Sequence, residues 1–106
     1  RSVVRRPVNR VVEFGTKARV YAAPGTAIGD LNWFALAQCE SGGNPSAVNP
    51  AGYYGLYQFD LGTWAGVGGS GNPIDASSAE QLYRAQLLYA SRGAQPWPVC
   101  GPLLFT

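Results

Sequence analysis

The sequence predicts a small, mainly helical α+β domain that is rich in loops and held by one disulfide. Its 106 residues are enough for one domain. A hydrophobic fraction of 46% with only 13% charged residues is typical of a globular chain. Fourteen glycines and eight prolines indicate that much of this chain is loop.

The two cysteines, Cys39 and Cys100, have no CxxC spacing, and the sequence contains no histidine. The absence of histidine excludes Ser-His-Asp and Cys-His catalysis. Two thiols alone make a poor zinc site, so we expect no metal and no cofactor. A structural disulfide is favoured, worth roughly 4 kcal/mol for a loop of this length. A disulfide implies an oxidising compartment, hence a secreted protein.

Charge divides the chain into a basic and an acidic part. Residues 1–28 hold six basic residues against one acidic residue, a net charge of +5. Residues 29–106 hold two against five, a net charge of −3. A basic stretch can contact nucleic acid or anionic wall polymers. Here the charged residues alternate with Val and Phe, a pattern that favours a strand with the charges on its solvent face. No nucleic-acid partner is therefore expected.

Three segments follow from this composition. Residues 8–16 form a β-rich run, and we expect residues 1–17 to be a strand that needs partners. The stretch 20–29 is uncharged and contains Pro24-Gly25, so residues 18–28 are interpreted as a linker. The domain proper is expected at 29–106. No apolar run reaches the ~18–20 residues of a membrane span.

Three helices are predicted in this domain. Asp30 is expected to cap a helix that Gly42-Gly43 ends, with Glu40 in its last turn. Two stripes run along it, one with Trp33, Leu36, Ala37 and Glu40, the other with Leu31, Phe34, Ala35 and Gln38. Asp60 is expected to cap a second, short helix. Ser77 and Glu80 form a capping box that opens the third helix, 78–91, with Gly93 after it and a stripe of Leu82, Ala85, Gln86 and Tyr89.

Glu40 is the strongest candidate for proton transfer among the five carboxylates of residues 29–106. Glycosidic cleavage needs a carboxylic acid that stays protonated near neutral pH. A helix C-terminus disfavours the anion and raises the pKa of a carboxyl group there. The alternative is an ordinary solvated carboxylate at a helix end.

Aromatic side chains around this position suit the faces of sugar rings. The alternative for the three tryptophans, Trp33, Trp64 and Trp97, is a place in the core. Tyr53 and Tyr54 follow a glycine in a loop, which favours exposure. Asp60 could be a second catalytic carboxylate, but its place before LGTW favours a helix cap.

The segment CESGGNPSAVNPAGYYGLYQFDLGTW resembles the catalytic segment of the actinobacterial resuscitation-promoting factors, which are lysozyme-like domains that cleave peptidoglycan. Parts of it are also similar to the soluble lytic transglycosylases. The later WPVC resembles the same factors, including the cysteine that pairs with the one before the catalytic glutamate. Leu56 and Tyr57 depart from the pattern, where smaller residues are usual; Leu56 is the transglycosylase-like choice.

The resemblance implies a lysozyme-like fold and a set of site residues. Glu40 matches the catalytic acid. The expected substrate-binding residues are Tyr53, Tyr54, Gln58, Thr63 and Trp64. The N-terminal RPVNRVVEFGTK resembles the last strand of a five-glycine β module that precedes this domain in longer members. Residues 1–17 would then be the remnant of that module.

The function implied is cleavage of the β-1,4 bond between N-acetylmuramic acid and N-acetylglucosamine in peptidoglycan, for wall remodelling and resuscitation from dormancy. The acceptor is either the muramic acid 6-hydroxyl, as in a lytic transglycosylase, or water, as in a muramidase. The alternative is a non-cleaving module that binds peptidoglycan or signals. Expected partners are glycan strands and a cell-wall endopeptidase, and a monomer is expected in solution.

Overall fold

The computed structural model describes residues 21–23 and 26–106. The predicted strand 1–17 lies outside the described residues. Within the predicted linker, strand β1 (Tyr21–Ala23) pairs antiparallel with strand β2 (Thr26–Ala27). Ala27 is already buried, so packing against the core begins two residues before position 29.

Helix α1 (Trp33–Ser41) begins later than Asp30, after a 3₁₀ turn (Ile28–Asp30). Its N-cap is Asn32, whose side-chain oxygen accepts a hydrogen bond from the Ala35 N–H at 3.0 Å. The prediction that Asp30 caps this helix is wrong, because the extended backbone of Leu31 separates the 3₁₀ turn from α1. The helix ends as predicted at Gly42, whose φ of +67° is easily adopted by glycine.

Short elements connect α1 to the last helix. Strands β3 (Val48–Asn49) and β4 (Tyr53–Tyr54) form an antiparallel hairpin. Helix α2 (Leu61–Gly66) follows, and then a second 3₁₀ turn (Pro73–Asp75).

Helix α3 (Ser78–Arg92) is the longest described element and forms one side of the core. The Ser77 hydroxyl accepts a hydrogen bond from the Glu80 N–H at 3.1 Å. The Glu80 carboxylate pairs with Arg84 at 2.7 Å instead of returning to Ser77, so only half of the predicted capping box forms. A last 3₁₀ turn (Gly101–Phe105) packs on α1.

The core lies where α1, α3 and the C-terminal segment meet. The predicted stripe Trp33, Leu36 and Ala37 faces it, while Phe34 is 74% exposed. On α3 the buried stripe is Gln81, Ala85 and Leu88; of the predicted stripe only Ala85 is fully buried. The disulfide between Cys39 and Cys100 ties the end of α1 to the C-terminal segment. The mainly helical α+β class and the single disulfide are therefore confirmed.

The three tryptophans are all in this core, 5%, 1% and 3% exposed for Trp33, Trp64 and Trp97. Each indole N–H donates to a backbone carbonyl in an irregular part of the chain: Ile28 at 2.9 Å, Ser70 at 3.1 Å and Tyr57 at 3.0 Å. Each tryptophan therefore fixes one loop or turn to the core, as expected for a buried indole. In the described part of the chain, no helix has the length and apolar character to cross a membrane.

Candidate functional site

The Glu40 side chain lies in the last turn of α1, as predicted from the sequence. Burial raises the pKa of this carboxyl above the usual glutamate value, because the charged form loses water. Its position near the C-terminal end of α1 also disfavours an anion. Among residues 26–106, no side chain or backbone group makes a hydrogen bond or ion pair with the Glu40 carboxyl group.

The backbone around Glu40 is held on both sides. Cys39 precedes it and is bonded to Cys100. After it, the N–H groups of Gly42 and Gly43 bond to the carbonyls of Gln38 and Ala37, at 3.0 and 3.2 Å. The helix end that carries the Glu40 carboxyl is therefore held in place by the disulfide and these hydrogen bonds. The carboxyl oxygens make no hydrogen bond with the described residues, so a ligand could bind them.

Tyr53 and Tyr54 form strand β4, and their backbones pair with Asn49 and Val48 of β3. The Tyr53 ring is 42% exposed, while Tyr54 is half-buried. The backbone N–H and carbonyl of Tyr54 both pair with Phe59, each at 2.9 Å. The turn 55–58 is thereby closed into a small loop beside an exposed aromatic ring.

Gln58 ends this turn in the left-handed region, with φ of +53°, and is the one described non-glycine residue with positive φ. Such a conformation costs on the order of 1 kcal/mol or more and is concentrated at functional sites. Its backbone N–H and its side-chain amide both donate to the Gly55 carbonyl, at 3.3 and 3.0 Å. The Gln58 side-chain oxygen is left as an acceptor.

Asp60 is the N-cap of α2, as predicted. One carboxylate oxygen accepts from the Thr63 N–H at 2.7 Å, and the other accepts from the Thr63 hydroxyl at 3.1 Å. Both oxygens are therefore engaged by α2. Thr63 is half-buried, and because its proton is directed at Asp60, its hydroxyl oxygen can offer only lone pairs to a ligand.

Trp64 does not lie at the surface. Its ring is 1% exposed and packs edge-on against Phe59 with centroids 5.1 Å apart. The expectation that Trp64 contacts a sugar is corrected by this burial, since no ring face is open to a ligand.

The Tyr57 ring, at one of the two positions that depart from the family pattern, is buried edge-on against Trp33. Burial raises the pKa of the Tyr57 hydroxyl to about 12. The neighbouring Leu56 is half-buried and packs on the same core. The larger side chains at these two positions are therefore accommodated mainly by the core.

Gln81 supports the site and was not found from the sequence. It is fully buried on α3, and its side-chain oxygen accepts from the Leu56 N–H at 2.8 Å. Its side-chain amide donates to the carbonyls of Pro45 and Ala76, both at 3.1 Å. One side chain thus joins the loop after α1, the 55–58 turn and the 3₁₀ turn before α3. Its spacing to Ala85 and Leu88 is the signal that could have placed it in the core.

No grouping of three or more His, Cys, Asp or Glu side chains suited to a metal ion occurs among the described residues. The candidate site residues are therefore one partly desolvated carboxyl on α1, an exposed aromatic ring on the hairpin, and two polar acceptors, one in the 55–58 turn and one at the start of α2.

Comparison with known proteins identifies relatives of this chain. A transglycosylase-like domain model matches residues 27–100. Resuscitation-promoting factor RpfE of Mycobacterium tuberculosis is 51% identical over 71 residues, which are 67% of this chain and 41% of RpfE. Resuscitation-promoting factor Rpf of Micrococcus luteus is 41% identical over 90 residues, 85% of this chain and 40% of that protein. The chain thus spans less than half the length of these relatives. The chain belongs to the transglycosylase-like domain family, in the form shared with the resuscitation-promoting factors.

Proposed function

We propose that this domain cleaves the β-1,4 bond between N-acetylmuramic acid and N-acetylglucosamine in peptidoglycan, for wall remodelling and resuscitation from dormancy. The observation that carries the proposal is the state of Glu40. Its carboxyl is partly desolvated, has no partner in the described part of the chain, and sits on a helix end that the disulfide holds. These are the properties of a general acid that must be protonated before it meets the glycosidic oxygen.

In the proposed reaction the Glu40 carboxyl donates its proton to the bridging oxygen as the glycosidic bond breaks. The muramic acid then carries oxocarbenium character at C1, and Glu40 is left as a carboxylate. Glu40 next takes a proton from the attacking hydroxyl. When this is the muramic acid's own 6-hydroxyl, the product is a 1,6-anhydro sugar; when it is water, the product is a reducing end.

The remaining site residues are assigned to glycan binding. The exposed Tyr53 ring suits stacking on a sugar face, with half-buried Tyr54 beside it. The Gln58 side-chain oxygen and the Thr63 hydroxyl oxygen are both acceptors, and they suit the hydroxyl and acetamido N–H groups of the sugars. The disulfide favours an oxidising compartment, which agrees with a secreted enzyme acting beside a wall endopeptidase.

The test compares two carboxylate-to-amide variants on purified peptidoglycan, with released sugars identified by mass spectrometry. Glu40→Gln removes the transferable proton, so cleavage is expected to fall by at least about 100-fold. Asp60→Asn is the matched control. Its amide oxygen still accepts from the Thr63 N–H, so most of the activity is expected to remain. An anhydro product is lighter by one water than the hydrolysis product.

Three outcomes separate the alternatives, provided that circular dichroism shows both variants to be folded. Undiminished cleavage by Glu40→Gln would refute the role of Glu40. Equal loss in Asp60→Asn would require a second catalytic carboxylate. Binding without any cleavage by the unsubstituted protein would favour the non-cleaving wall-binding or signalling module.

A further inference from the structure

A groove lies between α2 and the C-terminal half of α3. Its volume is about 450 Å³, within the ~300–1,000 Å³ common for ligand sites. Leu87, Leu88 and Val67 give it an apolar lining, and the polar groups around them come from Thr63, Ser91 and Arg92. We call this the α2–α3 groove. Thr63 also belongs to the proposed glycan contacts, so a strand bound as proposed would reach the groove at this residue.

Among the described residues, Arg92 is a positively charged side chain without an ion-pair partner. The described residues contain two cations, Arg84 and Arg92, against five acidic residues. Arg84 is bound to Glu80 at 2.7 Å and to the Val67 carbonyl at 2.8 Å. Arg92 is exposed and makes no ion pair or hydrogen bond with any residue that the structure describes. Its place in the last turn of α3 suits the helix dipole, but leaves its guanidinium donors open.

We propose that the α2–α3 groove binds the acidic peptide carried by the muramic acid residues of the strand, with Arg92 paired to a peptide carboxylate. This rests on the proposed function, because it assumes that the substrate is peptidoglycan. A neutral sugar ring has no need of an unpaired guanidinium, whereas a carboxylate approaching this acidic domain needs a local cation. The small apolar side chains of alanine residues in such a peptide would fit the apolar lining of Val67, Leu87 and Leu88.

The first test compares cleavage of peptide-bearing glycan strands with cleavage of the same strands after an amidase has removed the peptides and the lactyl carboxylates freed on the muramic acid have been converted to neutral methylamides. Arg92→Gln is expected to lower kcat/KM on peptide-bearing strands about fivefold more than on stripped strands, mainly through KM. Arg92→Lys keeps the charge and is expected to restore most of the difference. Because the pair is exposed, the difference is expected to shrink at high salt.

A second test does not depend on cleavage. A disaccharide carrying the peptide is titrated into the protein and followed by NMR, with the peptide-free disaccharide, its lactyl carboxylate capped as the methylamide, as control. Shifts in the backbone amides of 87–93, the wall of the groove that is not a proposed glycan contact, are expected only with the peptide, and weaker in Arg92→Gln. This result would hold even if no strand were cleaved, which separates the groove from the proposed reaction.

Two results would overturn the inference. One is a loss of kcat/KM in Arg92→Gln that is equal on both kinds of strand, or absent on both. The other is a set of backbone amide shifts at 87–93 that is equally large with the peptide-free disaccharide. Thermal unfolding of each variant, measured beforehand, shows whether α3 remains folded.

Discussion

The Glu40 carboxyl is easier to ionise in the unfolded chain than in the folded protein, because folding removes part of its water and supplies no described hydrogen bond in return. A carboxyl whose pKa is raised by folding binds its proton more tightly in the native state. Stability is therefore lost as pH rises from the usual glutamate pKa through the folded value, and stays lower above it. The proposed acid thus carries a stability cost at neutral pH.

We expect Glu40→Gln to unfold at a higher temperature than the unsubstituted protein at pH 7. The reason is that the amide has no charge to desolvate. The difference is expected to vanish below the usual glutamate pKa, where the carboxyl is protonated in both states. Thermal unfolding followed by circular dichroism from pH 3 to pH 8 measures this. A gap that is constant across that range, or of opposite sign at pH 7, contradicts the prediction.

Single residues also show which local signals carry structural information. The Asp60 cap was predictable from local sequence alone. An Asp at the N-cap position accepts a hydrogen bond from the free backbone N–H three residues later, as Asp60 does here. Trp64 was harder to place, because an indole serves equally well in a core or on a sugar. Its burial depends on Phe59 and Ser70, which the fold brings around it.

Among the elements, α3 stabilises the loops around the candidate site residues through Gln81, a role that its sequence did not predict. The three hydrogen bonds of Gln81 hold three separate segments, and a buried polar group that loses its partner costs about 1–3 kcal/mol. The geometry of the 55–58 turn therefore depends on a helix that comes more than twenty residues later.

We expect Gln81→Glu to lower the free energy of unfolding by about 3 kcal/mol at pH 7, because two part-buried carbonyls lose their donor and a charge is buried at position 81. Burial raises the pKa of a carboxyl, so stability should recover partly as pH falls and the group regains a proton to donate. Urea unfolding at pH 7 and pH 4 tests this. Gln86→Glu, at a half-buried position of the same helix, is the matched control. Similar losses in both variants at both pH values would contradict it.

The ends of helices were predicted better than their packing faces. Gly42 and Gly93 act within a few residues of chain and end their helices as expected, and Ser77 caps α3 although Glu80 does not complete the predicted box. The Asp30 cap failed because a 3₁₀ turn intervenes, and the α3 stripe shifted because a glutamine was buried. In both cases contacts between distant segments outweighed local preference.

For the whole molecule, the disulfide closes a loop of 61 residues between the end of α1 and the C-terminal segment. Nearly all of the proposed site lies within that loop. The family could be recognised from the sequence because the residues around Glu40 are contiguous. The α2–α3 groove could not be recognised, because the nearest lining residues of its two walls, Val67 and Leu87, lie far apart in the sequence.

We expect reduction of Cys39–Cys100 to lower the free energy of unfolding by about 4 kcal/mol, because the unfolded chain gains the freedom that the closed loop denied it. Urea unfolding with and without reductant measures this, and intact mass confirms that both thiols are free. A Cys39→Ser, Cys100→Ser double variant should have the lower stability and show no response to reductant. Full reduction without any loss of stability would contradict the prediction.

The hydrogen bonds of the three indoles give the protein an optical property. Trp33, Trp64 and Trp97 are screened from water, and each is attached to a different irregular segment. Their fluorescence should therefore be emitted at short wavelength in the native state and move to the red as these segments detach. One intrinsic signal thus reports on the entry to α1, the loop after α2 and the turn beside the site, without any attached label.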